Sequence, residues 1–266
     1  MLLEKKTAVI YGAAGAVGAA VSRAFVAEGA HVFLAGRTRA SLDDVLAQIE
    51  ADGSPGRAEA DELDATDEDA IDRHAAAVAE RAANGAIDIS FNTIGHGDVH
   101  GLPLLELPYE DFARPVVTAL RSQFLTTRAA ARQMVPRRSG VIMAITATTA
   151  RHMIPEVGGT GVTFDAIESQ CRQWAAELGP HGVRVAWIQT TGLDDAIAHI
   201  DAFPAYGTGA PMTREQLFEW LERATLLKRL TRTDDVAKAA VFLASDHASA
   251  ITGASVNITA GGAPGR

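Results

Sequence analysis

Cysteine is almost missing from this chain. Cys171 is the only one in 266 residues, so no internal disulfide can form, and its place in a helical pattern suits a small buried apolar residue better than a nucleophile. Positive charge is scarce too. Lys and Arg number 24 against 33 Asp and Glu, a formal charge of −9, and no Lys/Arg cluster supplies the local field that a phosphate backbone needs, which argues against a nucleic-acid partner. Long apolar runs are absent, because Gly and charged residues interrupt each one before it reaches the length of a membrane span. The opening Met1-Leu2-Leu3-Glu4-Lys5-Lys6 lacks the charged, apolar, small layout of a secretory leader. Together these features give the cytoplasm as the expected compartment, with no membrane partner. His100 and His199 belong to no H-x-x-x-H or Cys/His grouping, so no metal site is expected.

What is present is an ordinary globular composition, 47% apolar and 21% charged, which speaks against disorder beyond the ends. Short β-branched runs alternate with longer helical stretches. Strands are expected at 7–11, 31–35, 57–61, 87–91, 141–146, 183–189 and 255–258, and helices at about 16–28, 41–51, 67–83, 161–178, 213–224 and 234–244. A further helical region opens at Leu107-Pro108-Tyr109 and runs to Met134, with a break expected near Pro115. Nearly continuous apolar strands separated by helices imply a parallel sheet covered on both faces. The expectation is a single α/β domain over 1–266: a doubly wound parallel sheet, or Rossmann fold, in three α/β/α layers. Between about 193 and 226 the pattern loosens around Pro204, Gly207, Gly209 and Pro211, where a short helix is expected. That stretch reads as a lid or substrate-facing insertion over the strand ends.

The first strand runs into Gly12-Ala13-Ala14-Gly15-Ala16-Val17-Gly18, a G-x-x-G-x-x-G spacing placed between a strand and a helix. Glycine at the strand end permits a tight turn, and small neighbours let a pyrophosphate approach the amides at the helix start. Strand before and helix after are the context that makes such a motif informative. The second strand ends at Ala35-Gly36, where an NAD site would place a carboxylate for the ribose hydroxyls; Arg37 and Arg39 follow instead. Guanidinium groups there suit a 2′-phosphate, so NADP(H) is read in preference to NAD(H).

From these residues the chain resembles the short-chain dehydrogenase/reductase family along nearly its whole length. The closing part carries the most specific likeness: Lys228-Arg229-Leu230, Thr233-Asp234-Asp235-Val236-Ala237, Val241-Phe242-Leu243-Ala244-Ser245-Asp246, Ile251-Thr252-Gly253 and Gly261-Gly262. Upstream, Asn92-Thr93-Ile94-Gly95 resembles the family's Asn-Asn-Ala-Gly turn, keeping Asn92 and Gly95. The stretch Asp64-Ala65-Thr66-Asp67 resembles the one whose aspartate meets the adenine, which implies Asp64 and Ala65 there. Thr191-Gly192 stands where the family has Pro-Gly beside the nicotinamide. In the glycine loop, Ala16 takes the place of the usual middle glycine, with Gly15 one step earlier. The likeness also implies self-association into a homodimer or homotetramer through the helices at 120–134 and 161–178.

The family's usual chemistry has no counterpart among these residues. It donates a proton from a tyrosine made more acidic by a lysine four residues on, helped by a serine and an asparagine. The three tyrosines here, Tyr11, Tyr109 and Tyr206, are followed at that spacing by Gly15, Ala113 and Ala210. Counting back from Glu177-Leu178 puts Thr160 at the tyrosine position and Phe164 at the lysine position, while Ala147 and Ala119 (or Thr118) replace the serine and asparagine. An alcohol is too weak an acid to replace a phenol beside an ammonium, and Phe164 brings no charge. Other groups on the expected strand-end rim are His96 and His152, with the right pKa range for proton transfer, and Thr146, Thr148 and Thr149, able to hold a carbonyl. Glu156 and Asp165 are further proton carriers. Trp174 and Trp187 read as core.

Three functions remain open from the sequence. One is an NADP(H)-dependent oxidoreductase acting on a small molecule, a carbonyl or alkene reductase with an atypical active site. Another is an enzyme of a different class on the same fold, an isomerase, cyclase or lyase. The last is a non-catalytic nucleotide-binding or scaffold protein.

Overall fold

In the computed structural model, which describes residues 1–197 and 202–263, every residue of the first strand, Thr7–Tyr11 (β1), is buried. Alternate side chains of this strand face opposite ways, as the two-residue period of a strand requires. Ala8 and Ile10 join one apolar core, and Val9 and Tyr11 the other. The same division repeats along His31–Gly36 (β2), Gly140–Ala147 (β5) and Val183–Thr190 (β6), so helices must cover both faces, while Arg57–Glu62 (β3) and Ile89–Asn92 (β4) give their apolar side chains to the first core.

One face is covered by Ala16–Ala27 (α1), Arg39–Ala51 (α2) and Thr233–Ala244 (α7), whose Val21, Phe25, Leu42, Val236 and Leu243 share a core. The other is covered by Glu68–Arg81 (α3), Tyr109–Met134 (α4) and Thr160–Leu178 (α5). The sheet has seven parallel strands in the order β3-β2-β1-β4-β5-β6-β9, with Ala254–Ile258 as β9. The order reverses between β1 and β4. Ligands of open α/β sheets bind outside the carboxyl ends of the strands at such a reversal.

Polar contacts tie the layers. Arg81 of α3 stacks over the Phe33 ring at 4.6 Å and donates to Asp61 Oδ2 of β3 at 2.7 Å, while His74 Nε2 lies 3.2 Å from the same oxygen. At the far side Arg184 of β6 donates to the carbonyls of Leu243, Ser245 and Ile251 at 2.8, 3.3 and 3.2 Å, closing the end of α7.

Two sequence expectations are corrected. Pro115 does not break α4; the helix is continuous from Tyr109 to Met134. Proline removes only one amide donor, and here it is buried against the start of α5, where a Cβ on Gly159 would stand 3.2 Å from its ring. The short helix expected around 204–211 is also absent. Ala202–Phe203 (β7) and Met212–Thr213 (β8) pair there as an antiparallel ribbon, and Phe203 and Met212 pack on Leu217 of Arg214–Ala224 (α6). The prolines and positive-φ glycines of that stretch suit a turn between short strands. Thr213 and Gln216 start α6 with a reciprocal capping box. His199 lies outside the described residues. Among the described residues no helix is long and apolar enough to cross a membrane, and no group of three or more His, Cys, Asp or Glu is placed to hold a metal.

Candidate active site

The turn after β1 is built on Gly12, at φ +79°. Its amide and that of Ala13 both donate to Ala35 O, at 2.8 and 3.2 Å, which draws the ends of β1 and β2 together. A side chain here would collide with backbone, since a Cβ on Gly12 would lie 2.8 Å from Thr93 O and one on Gly18 only 2.4 Å from Gly12 O. Thr93 adds a side-chain tie, donating to Tyr11 O at 2.8 Å. Gly15 is the residue before α1 and has no side chain to cap it, so the helix presents its positive end to whatever lies in the turn.

An open cleft lies beside this turn. It runs from the ends of β2 and β3, past the glycine turn, to the end of β4. Of the residues singled out from sequence, Gly12, Gly15, Arg37, Asp64, Ala65 and Gly95 line it. Thr38, Ser41, Leu63, Thr66 and Ile94 line it as well and were not assigned to the site from sequence, although Thr66 and Ile94 belong to the stretches that carry the resemblance. Asp64 is held by the amide and hydroxyl of Thr66, both at 2.8 Å, and the backbone hydrogen bond is the main cause that keeps its carboxyl below the ordinary aspartate range.

Other expected nucleotide residues lie elsewhere. Arg39 turns along α2, with Nε 2.8 Å from Asp43 and Nη1 2.9 Å from Ala60 O. Asn92 is buried and donates to Thr126 Oγ1 at 3.1 Å, a link between β4 and α4. Ala16, Val17 and Gly18 form the first turn of α1 behind the cleft wall. Thr191 and Gly192 follow β6 outside it, with a Cβ on Gly192 falling 2.7 Å from Leu221.

The residues weighed for chemistry gather past β4, β5 and β6. Thr146 is fully buried and donates to Glu168 Oε1 of α5 at 3.3 Å, as Gln189 does at 3.3 Å; Arg151 pairs with the same carboxylate. Thr146 is thereby committed to a buried polar knot. Thr148 is buried at the turn after β5, where its carbonyl accepts from the His152 amide at 2.8 Å. Among the described residues the His152 ring has no hydrogen-bond partner. His96 is buried with its edge toward Phe164, ring centroids 6.0 Å apart. Burial lowers its pKa, with Asp98 opposing.

Thr160, the first residue of α5, has the richest surroundings. Its Oγ1 lies 2.8 Å from His100 Nε2 and 3.1 Å from Asp98 Oδ1, and His100 Nδ1 lies 3.1 Å from the Tyr206 hydroxyl. Desolvation lowers the His100 pKa. Neither His100 nor Tyr206 stood out from sequence as a site residue. They are 106 positions apart, and only the convergence of the loops after β4 and β6 brings them together.

A glycine turn against a helix start, at the strand-order reversal of a parallel sheet, defines the dinucleotide-binding class of doubly wound proteins. Comparison with known proteins agrees. The family described as Enoyl-(Acyl carrier protein) reductase matches residues 12–262. An L-rhamnose 1-dehydrogenase (NAD(P)(+)) of Azotobacter vinelandii is 32% identical, covering 98% of each chain, and an uncharacterized oxidoreductase of Bacillus subtilis is 30% identical over 97% of this chain and 91% of that one. A short-chain type dehydrogenase/reductase from Mycobacterium ulcerans superposes with a TM-score of 0.86 at 28% identity, over 98% of this chain and 91% of that one. The chain belongs to the short-chain dehydrogenase/reductase family, whose members are oxidoreductases using nicotinamide cofactors.

Proposed function

We propose that the protein is an NADP(H)-dependent oxidoreductase, a carbonyl or alkene reductase acting on a small molecule through an active site that departs from the family's usual one. The observation that carries this reading is Arg37 lining the nucleotide cleft beside Thr38 and Ser41, with Gly36 where an NAD site would present a carboxylate. A 2′-phosphate at that mouth meets a guanidinium and two hydroxyl-bearing side chains, and β2 itself ends without a carboxylate, the nearest acids being Asp64 and Glu62 at the end of β3. The glycine turn fits a pyrophosphate because backbone, with no side chain intervening, forms its wall. Asp64 and Ala65 flank the adenine and Gly95 the path toward the reacting end.

Bound there, the reduced nicotinamide supplies a hydride, and the chain must bind the substrate, exclude water and provide a proton. Residues 193–226 serve as the lid in this reading, and the α4 and α5 faces as the contact of a homodimer or homotetramer in the cytoplasm. Thr160 and Phe164, standing where a phenol and an ammonium are usual, favour the alternative of a different reaction class on the same nucleotide.

Calorimetric titration with NADPH and NADH, followed by NADPH oxidation against ketones and enones, tests the proposal. NADPH is expected to bind at least tenfold tighter than NADH, a difference of about 1.4 kcal/mol. Silence toward both nucleotides would overturn it.

A further inference from the structure

The direction of each hydrogen bond around Thr160 is fixed by elementary valence. A carboxylate only accepts, so the Thr160 hydroxyl, 3.1 Å from Asp98 Oδ1, donates to it. Its single proton is then spent, and Oγ1 accepts from His100 Nε2 at 2.8 Å. A neutral imidazole protonated at Nε2 is bare at Nδ1, so Nδ1 accepts from the Tyr206 hydroxyl at 3.1 Å. The four groups form one directed file, from the phenol through the imidazole and the alcohol to the carboxylate.

The file is held in place at each end. The Tyr206 ring stacks on Trp220 of α6, with centroids 6.5 Å apart and planes 6° from parallel, and meets His100 edge-on at 5.8 Å. Tyr206 also holds φ at +48°, a left-handed conformation that bulky residues seldom take. Asp98 is exposed, on a stretch bounded by Gly97 and Gly101, both at positive φ. Thr160 begins α5 beside the turn that follows β5, since a Cβ on Gly161 would stand 2.8 Å from Thr149 O. The cleft already described spans the ends of β2, β3, β1 and β4. The file therefore stands past its far end, on the side away from Arg37.

We propose that Thr160, His100 and Tyr206 form a proton relay that delivers the phenol's proton to a substrate carbonyl oxygen, with Asp98 holding the resting hydroxyl in register until the substrate takes its place. The inference rests on the reductase reading above. As hydride reaches the carbonyl carbon, the C=O π pair goes to oxygen. That oxygen takes the Thr160 proton; Oγ1 takes the proton of His100 Nε2; Nδ1 takes that of Tyr206. One O–H bond forms on the product and one breaks on Tyr206. The imidazole stays neutral in its other tautomer, and the phenolate regains a proton from water. Thr160 need not be an acid in its own right, because the proton lost in the end comes from a phenol, one that burial makes a weaker acid than free tyrosine and that is still far more acidic than an alcohol. Thr160 is the catalytic residue here, His100 and Tyr206 act through it, and Asp98 is a positioning residue.

Two measurements on the full chain test the relay. In NMR of ¹⁵N-histidine-labelled protein, with His100 assigned by His100→Gln, Nε2 is expected to carry the proton and Nδ1 to be bare. Asp98→Asn is expected to release a mixture of tautomers. A proton on Nδ1 in the parent chain would overturn the proposal without any appeal to turnover. In kinetics with NADPH and cyclohexanone, acetophenone or 2-cyclohexenone, Tyr206→Phe is expected to lower kcat about 10²-fold while the Kd for NADPH and the KM change little. The solvent isotope effect of the parent should involve more than one proton and be reduced to one in Tyr206→Phe. Thr160→Ser should keep kcat within about threefold and Thr160→Val should fall with Tyr206→Phe. Turnover by the parent with an unaltered Tyr206→Phe sinks the relay alone; a parent that binds no NADPH and reduces nothing sinks the functional reading and the relay's role with it.

Discussion

Arg39 Nε lies 2.8 Å from Asp43 Oδ1, one helical turn further along α2, and this pairing holds its guanidinium along the helix, outside the nucleotide cleft that Arg37 lines. The two arginines are therefore expected to differ in titrations. Arg37→Ala should weaken NADPH binding about tenfold or more, the scale of one charge-assisted contact, and alter NADH binding little. Arg39→Ala should leave NADPH affinity within about threefold, since an exposed i,i+4 pair contributes little. Equal losses from both would show that the cleft mouth is read wrongly.

The glycine turn makes a second contrast. A Cβ at Gly18 would come 2.4 Å from Gly12 O and 2.7 Å from Ala13 Cα, whereas one at Gly15 meets only Gly12 O at 3.3 Å. Gly18→Ala should destabilise the chain by about 1–3 kcal/mol in urea denaturation, the range for forcing atoms into packed structure. Gly15→Ala should cost well under that. Similar midpoints for the two variants would contradict the geometry.

Much of this architecture was legible in advance, and the reasons are local. Strands such as β1 and β6 announce themselves because apolar runs of that length, bounded by Gly, fit only a sheet covered on both faces. The nucleotide turn was legible because Gly12 to Gly18 are contiguous. Arg37 and Arg39 could not be told apart from spacing, since the choice depends on Asp43 and the Ala60 carbonyl. Pro115 misled because proline's usual effect was outweighed by packing on α5. The Thr160 surroundings were illegible for a different reason: Asp98 and His100 come from the loop after β4, Thr160 from the start of α5 and Tyr206 from the turn between β7 and β8, and no periodicity links them.

Glu168 is fully buried and serves Thr146, Gln189 and Arg151 together. Truncation would leave a cation and two polar groups without their acceptor. Glu168→Ala is expected to cost about 3–5 kcal/mol, the scale for removing one partner of a buried pair. Glu168→Gln should cost less, because it still accepts from Thr146. Equal unfolding midpoints for Glu168→Ala and the parent would refute this.

Burial alone would raise the Asp61 carboxyl, but hydrogen bonds from His74 and Arg81 outweigh it and hold it at about 2, against 3.8 for a free aspartate. Folding therefore favours the ionised form. The resulting stabilisation is complete above the free value of 3.8 and is lost as pH falls through about 2. Because the pair is partly exposed, Asp61→Asn should remove only about 1–2 kcal/mol at neutral pH. The difference between variant and parent should narrow with acid; a gap that stays constant from neutrality to the acid limit would exclude this linkage.

Burial, followed by the charge of Glu168, pushes the Cys171 thiol up to about 12. The thiolate is the reactive form. Iodoacetamide should label Cys171 at least about 10²-fold more slowly in the folded chain than in denaturant, by mass spectrometry. Rapid labelling of the native protein would show an opening at α5 that this packing does not allow.

Packing of α1 against α7 has a consequence for how the molecule is made. The helix behind the nucleotide turn rests on residues such as Val236 and Leu243, which leave the ribosome some two hundred positions later. A nascent polypeptide halted before α7 thus lacks the support for its own phosphate loop. The wall behind the glycine turn is thus completed only when α7 folds onto α1.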